Sequence, residues 1–267
     1  MSFKYESIYF DEPIVSERVL DIFIPEEKTR DVAIFFVHGG GWQGGSRTGS
    51  HKLMREFNKQ GFICASTDYR LMGTGANIFD QLEDVRHGYL LFLDYLAHNN
   101  CPLKVFTYGG SAGAHLNALI SLTQPGQCGE EIKSLPDIEW TSPVGAALQS
   151  TPMLFEPWED IFPHIWTAME KIVGTKYKDN PELYKKLAPM NYLSASTCPL
   201  LFLEAENEHM FPLEYTVAAV EKLRSFSVEA EYKVYTKVEH GFFYDVTRRQ
   251  QKEAFHDMLK FIEKVWK

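Results

Sequence analysis

Apolar residues in this chain fall in short, dense runs separated by longer amphipathic stretches. Seven runs rich in β-branched and aromatic residues read as strands: RVLDIFI (18–24), VAIFFVH (32–38), FICAST (62–67), KVFTYGG (104–110), VGAALQS (144–150), LLFLEA (200–205) and AEYKVYT (230–236). Most are continuous rather than alternating, as expected of strands covered on both faces. Between and after them, Leu82, Val85, Tyr89, Phe92, Leu93 and Leu96 share one helical face, as do Phe255, Met258, Leu259, Ile262 and Trp266. This alternation predicts an α/β fold, a mostly parallel central sheet flanked by helices. Residues 151–192 break the rhythm with Pro punctuation and no strand candidate, which predicts a small helical insertion over the C-terminal edge of the sheet. No linker divides the chain, so residues 1–267 read as a single domain.

Composition narrows the class. A chain of 267 residues buries about three quarters of its unfolded surface, enough for a sizeable core. The formal net charge of −9 and the lack of any Lys/Arg stripe argue against nucleic acid or an anionic membrane as partner. Cys64, Cys101, Cys128 and Cys198 form no CxxC pair and read as reduced, buried thiols. The N-terminus MSFKYESIYFDEP has no apolar signal-peptide core, and no apolar stretch approaches membrane-spanning length, so the expected location is cytoplasmic.

Two glycine-rich stretches carry the candidate chemistry. FVHGGGWQGGS (36–46) has the Gly39-x-Gly41-x-x-Gly44 spacing of a dinucleotide-binding loop after a strand candidate. YGGSAGAHL (108–116) places Ser111 in Gly109-x-Ser111-x-Gly113 between a strand and a helical pattern, the context of a nucleophile elbow. A serine nucleophile needs a base, and the base a carboxylate to orient it. VEHGFF (238–243) supplies His240, and LEAENEHMFP (203–212) supplies carboxylates, giving the chain order Ser, acid, His. A dinucleotide reading, and with it an NAD-binding oxidoreductase, leaves these residues without a role and has a longer glycine-to-Asp68 separation than usual, so it ranks behind the nucleophile reading. A Walker A loop is excluded because Ser46 and Arg47, not Lys, follow Gly45.

Through HGGGW, DYRL (68–71), LEDV (82–85), GGSAGAHL and HGFF, the chain resembles the hormone-sensitive-lipase-like esterases of the α/β-hydrolase superfamily. The resemblance implies an α/β-hydrolase fold with the 151–192 insertion as a lid, and an oxyanion hole built from Gly40, Gly41 and Ala112. The family's acid is usually Asp, with a glycine three residues before it and a proline four after; here Ala205, Glu208 and Pro212 hold those positions, so Glu208 is the expected acid, with Glu206 and then Glu204 as competitors. Metal binding by Glu204, Glu206, Glu208 and His209 is a weaker reading than solvated carboxylates, and no metal or cofactor is expected. Trp42 and Trp158 are the expected substrate contacts. Phe155, Phe162 and Trp166 read individually as packing residues; His38 and His115 fix local loop geometry, and His51, His87, His98, His164 and His256 read as surface or packing residues.

The implied activity is an acyl-enzyme hydrolysis of short-acyl esters on Ser111, with acetyl the first choice and an acylated sugar among the small-molecule substrates, as in bacterial acetyl and feruloyl esterases. The same motifs also resemble kynurenine formamidases, which makes an arylformamidase the alternative. A non-catalytic ligand receptor on the same fold is the reading from a different class. The sequence leaves the oligomeric state open.

Overall fold

The computed structural model describes residues 4–10, 18–133 and 135–266; the N-terminal reading also covers residues 1–3 and 11–13, which lie outside the described residues. Eight strands form one sheet: β1 (Lys4–Tyr9), β2 (Val19–Ile24), β3 (Ala33–Val37), β4 (Cys64–Thr67), β5 (Val105–Gly110), β6 (Gly145–Gln149), β7 (Leu200–Asn207) and β8 (Ala230–Glu239). Their order is β1-β2-β4-β3-β5-β6-β7-β8. The pairs β1–β2 and β2–β4 are antiparallel, and every later pair is parallel. All seven strands expected from the apolar runs are present. The additional strand β1 lies at an edge with an exposed or half-buried face pattern, so it carries no dense apolar run to announce it.

The strand period of two sorts side chains between two helical layers. In β3, Phe35 and Val37 face a layer that includes α2 (Ile78–His98) and α3 (Ala112–Leu122), while Ile34 and Phe36 face α1 (His51–Lys59) and α7 (Arg249–Val265). Near the far edge, Leu200 and Phe202 of β7 pack on Ala114 and Ala118 of α3 and on Ala219, Val220 and Leu223 of α6 (Leu213–Ser225). Between β6 and β7, residues 151–192 hold α4 (Pro163–Val173), α5 (Pro181–Lys186) and a 3-10 turn at Pro189–Tyr192. That stretch is tied to α3 at its base, where His115 Nε2 donates to the Leu187 carbonyl at 2.7 Å.

Strand order reverses at β3, whose neighbours β4 and β5 follow it on opposite sides. Ligand crevices of open α/β sheets form at such a point, beyond the C-terminal strand ends. Among the described residues no helix is long and apolar enough to cross a membrane. The cysteines are all free, Cys64 and Cys128 buried and Cys101 and Cys198 partly so.

Among the described residues the Arg86–Glu130 ion pair is fully enclosed. The Arg86 guanidinium on α2 donates to Glu130 at 2.7 Å and to Thr123 Oγ1 and carbonyl, and the Gly126 and Cys128 N–H groups complete the Glu130 carboxylate. Arg86→Met strands that carboxylate without its cation, and is expected to cost about 3 to 5 kcal/mol in urea unfolding. Adding Glu130→Gln restores part of the loss in the same measurement.

Candidate active site

Ser111 occupies the turn between β5 and α3 with φ 55° and ψ −122°. A non-glycine residue held there stores about 1 to 3 kcal/mol of strain. What holds it is the tight approach of two main chains. A Cβ added at Gly113 would lie 2.3 Å from the carbonyl oxygens of both Val37 and His38, so only glycine lets the first turn of α3 seat against the end of β3. Gly40 has φ 129°, and a Cβ there would meet the Gly44 carbonyl at 2.1 Å. The HGGGW loop is thus folded back on itself beside Ser111.

The residues that sequence reasoning grouped are brought together. His240, in the loop after β8, approaches Ser111 Oγ with Nε2 at 2.8 Å. Its Nδ1 faces both oxygens of Glu208, at 2.9 and 2.8 Å. With Glu208 ionised, Nδ1–H donates to the carboxylate and Nε2 is left as the acceptor for the serine proton. Burial works against charge on Glu208, but the His240 contact and the Met210 N–H, at 2.8 Å, outweigh it and hold the carboxyl below its usual range. Ala112 is the first residue of α3, fully buried, where a helical N–H has no intrahelical acceptor. Gly40 and Gly41 line the same cleft as Ser111.

The competing carboxylates serve elsewhere. Glu206 accepts from the Lys237 N–H at 2.8 Å and braces the irregularity in the β7–β8 pairing between Ala205 and Asn207. That irregularity lies just before the loop carrying the longer Glu208 side chain. Glu204 is buried on β7 and accepts from Thr216 Oγ1 at 2.9 Å; burial, with the Glu208 charge nearby, pushes it up to about 8. Among the described residues no group of His, Cys, Asp and Glu side chains is arranged to hold a metal ion.

The cleft encloses about 530 Å³, and no Lys, Arg, Asp or Glu is among the residues lining it. Trp42 borders it, but the ring is only 2% exposed and stands edge-on to His115 and Phe155. Trp42 itself has φ 61°, held by Gln81 Nε2 and Met72 N–H on its carbonyl, so it anchors the glycine loop to the core. Trp158 is a correction: it lies outside the cleft lining and packs on Phe211 and Tyr215, supporting the wall from behind. His164 is exposed on α4, as a surface residue, and also reaches the rim of the cleft. Phe211, Phe243, Tyr108 and Gln149 also line the cleft without having stood out in the sequence.

The second histidines are neutral struts. Burial pushes His115 down to about 4 and also lowers His38, whose Nδ1–H donates to the Gly39 carbonyl and whose ring stacks on Tyr69.

Set against known proteins, residues 20–223 match the family model BD-FAE. The probable carboxylic ester hydrolase LipM of Mycobacterium tuberculosis is 26% identical over 73% of this chain and 45% of its own length. Esterase LipQ of the same bacterium is 25% identical over 92% of this chain and 60% of its own length. The chain therefore spans about half the length of these relatives. Thermogutta terrifontis esterase 2 superposes with a TM-score of 0.74 at 19% identity, covering 98% of this chain and 95% of that one, which shows a shared fold.

Glu204 gives the site a stability signature. The unfolded chain releases this proton near 4.5 and the folded chain near 8, so the folded state binds more protons in that interval and loses stability as pH rises through it. Glu204→Gln keeps an acceptor for Thr216 and removes the charge. Its urea midpoint is expected to fall less than that of the wild type between pH 5 and pH 8.

Proposed function

The chain belongs to the BD-FAE family and has the α/β-hydrolase fold, and on that premise we propose that it is a serine carboxylic-ester hydrolase of neutral, short-acyl esters. One observation carries the reading: Ser111 Oγ lies 2.8 Å from His240 Nε2 while Glu208 occupies the other ring nitrogen. In the first step Ser111 Oγ bonds to the ester carbonyl carbon as its proton passes to Nε2. The carbonyl π electrons become an oxyanion held by the N–H groups of Gly40, Gly41 and Ala112, each such donor typically contributing about 3 to 4 kcal/mol. Collapse breaks the C–O bond to the alcohol, which leaves with the proton from His240. Water, deprotonated by the same nitrogen, then cleaves the acyl-enzyme and releases the acid. Glu208 holds the imidazole in one tautomer throughout and stabilises it when charged.

The cleft's chemistry supports a neutral substrate, since a charged group would enter without a counter-ion. Leu53, Ile165, Phe211 and Phe243 offer apolar contact, while Gln43, Ser46, Ser50 and Tyr244 offer hydrogen bonds suited to an alcohol bearing hydroxyls. Acetyl esters, including acylated sugars, are the narrower form of the proposal. Residues 151–192 act as the lid, with His164, Ile165 and Ala168 as its contribution to the wall.

Hydrolysis of p-nitrophenyl acetate and butyrate by the wild type, compared with Ser111→Ala, tests the assignment. The variant is expected to lose at least about 10⁴-fold in kcat. Equal turnover by the two proteins discards Ser111 as nucleophile. Preference for N-formylkynurenine over both esters favours the amidase, and ester binding without turnover favours a receptor.

A further inference from the structure

We propose that Gln149 and Tyr108 form a clamp that positions the His240 loop, so that one glutamine governs both the nucleophile and its base. The proposal rests on the esterase reading of Ser111 and His240. His240 belongs to neither a strand nor a helix, so its alignment depends on what its loop's backbone is bonded to. Each backbone group in question has a specific partner. The Gln149 side-chain oxygen accepts from the Phe242 N–H at 2.9 Å and from the Gly241 N–H at 3.2 Å. The Phe243 carbonyl accepts from the Tyr108 hydroxyl at 2.8 Å, and the Phe242 carbonyl from Gln251 Nε2 on α7 at 2.9 Å.

Counting protons fixes the orientation of the glutamine. Tyr108 has one hydroxyl proton, and Phe243 receives it. The 2.8 Å contact between that hydroxyl and the Gln149 amide therefore has Gln149 Nε2 as donor, leaving the amide oxygen for the two backbone N–H groups. An ionised carboxylate at position 149 keeps the acceptor and loses the donor, whereas a leucine loses both.

The same residue reaches the nucleophile. The Gln149 main-chain carbonyl accepts from the Ser111 N–H at 2.8 Å, tying the strained serine to β6. Gln149 is 2% exposed and Tyr108 is 5% exposed, so both side chains are immobilised by packing. The serine and the loop of its base are thus referenced to one residue at the C-terminal end of β6.

The test compares wild type, Gln149→Leu, Gln149→Glu, Tyr108→Phe and the Gln149→Leu/Tyr108→Phe double variant. The readouts are kcat and KM across pH on p-nitrophenyl acetate and the downfield imidazole Nδ1–H resonance of His240 by proton NMR. Gln149→Leu is expected to lower kcat by about 10- to 100-fold with KM within about twofold, the range that follows from slight misplacement of a reacting group. The acid limb of its kcat/KM profile shifts as His240 slips from Glu208, and the resonance broadens or disappears. Gln149→Glu, which retains an acceptor for the loop, recovers part of kcat, and the double variant loses less than the product of the single effects. Should Gln149→Leu not fold, Gln149→Glu and Tyr108→Phe carry the same readouts.

Unchanged kcat, pH profile and resonance in the folded variants overturn the clamp. An inactive wild type sinks the esterase reading instead, and the resonance alone then decides: its loss in Gln149→Leu supports the clamp and its persistence refutes it.

Discussion

The site depends on how closely the end of β3 and the start of α3 approach. Gly113 lies against the carbonyls of Val37 and His38, and nothing larger than hydrogen fits between the two main chains. Everything local follows from that spacing. The glycine loop after β3 is delivered beside the β5–α3 turn, and Ser111 is lifted out of ordinary backbone geometry where α3 begins. The packing of the surrounding sheet, together with the Ser111 N–H bond to the Gln149 carbonyl, keeps this arrangement in place.

Around that point the chain uses buried charge to fix loops that lack regular hydrogen bonding. Arg47, just past the glycine loop, pairs with both Asp21 on β2 and Asp68 after β4. Burial disfavours the Asp21 carboxylate, yet hydrogen bonds from His51, Ser7 and Arg47 pull it down to about 2. Arg70 and Arg18 converge on Asp84 of α2, where burial outweighs the two guanidiniums and raises the carboxyl above its usual range. These pairs bind the DYRL and LEDV segments into the frame behind the cleft, which explains why a cleft with no charged lining is walled by residues backed with ion pairs. Their value is in specifying loop geometry; exchanging charge for apolar volume at such places often leaves net stability little changed.

Much of this was legible in the sequence, and the pattern of what was not is physical. Dense apolar runs report strands buried on both faces, so β2 to β8 could be read, whereas the edge strand β1, with Tyr5 and Tyr9 exposed, left no comparable mark. The grouping of Ser111, Glu208 and His240 could be read because each follows a strand end, which ties it to recognisable neighbours. Side-chain direction is a different matter. Trp42 and Trp158 are aromatic and close to the right loops, but one ring turns into the core and the other stands behind Phe211. His164 reaches the cleft through the placement of α4, which no local residue pattern encodes. Gln149 and Tyr108 sat within strand runs, where polar residues draw little notice until their partners, 92 or more residues later, are known.

The linear order of the reactive groups has a consequence for biosynthesis. Ser111 and His240 are 129 residues apart, and Glu208 lies between them. During synthesis the serine emerges with β3 and β5 already made, yet the carboxylate and imidazole proposed to activate it arrive only with β7 and β8. A serine hydroxyl without its base is a poor nucleophile at neutral pH. On the proposed mechanism the growing chain is chemically quiet until β7 and β8 join the sheet, so that hydrolysis would report the completion of that sheet.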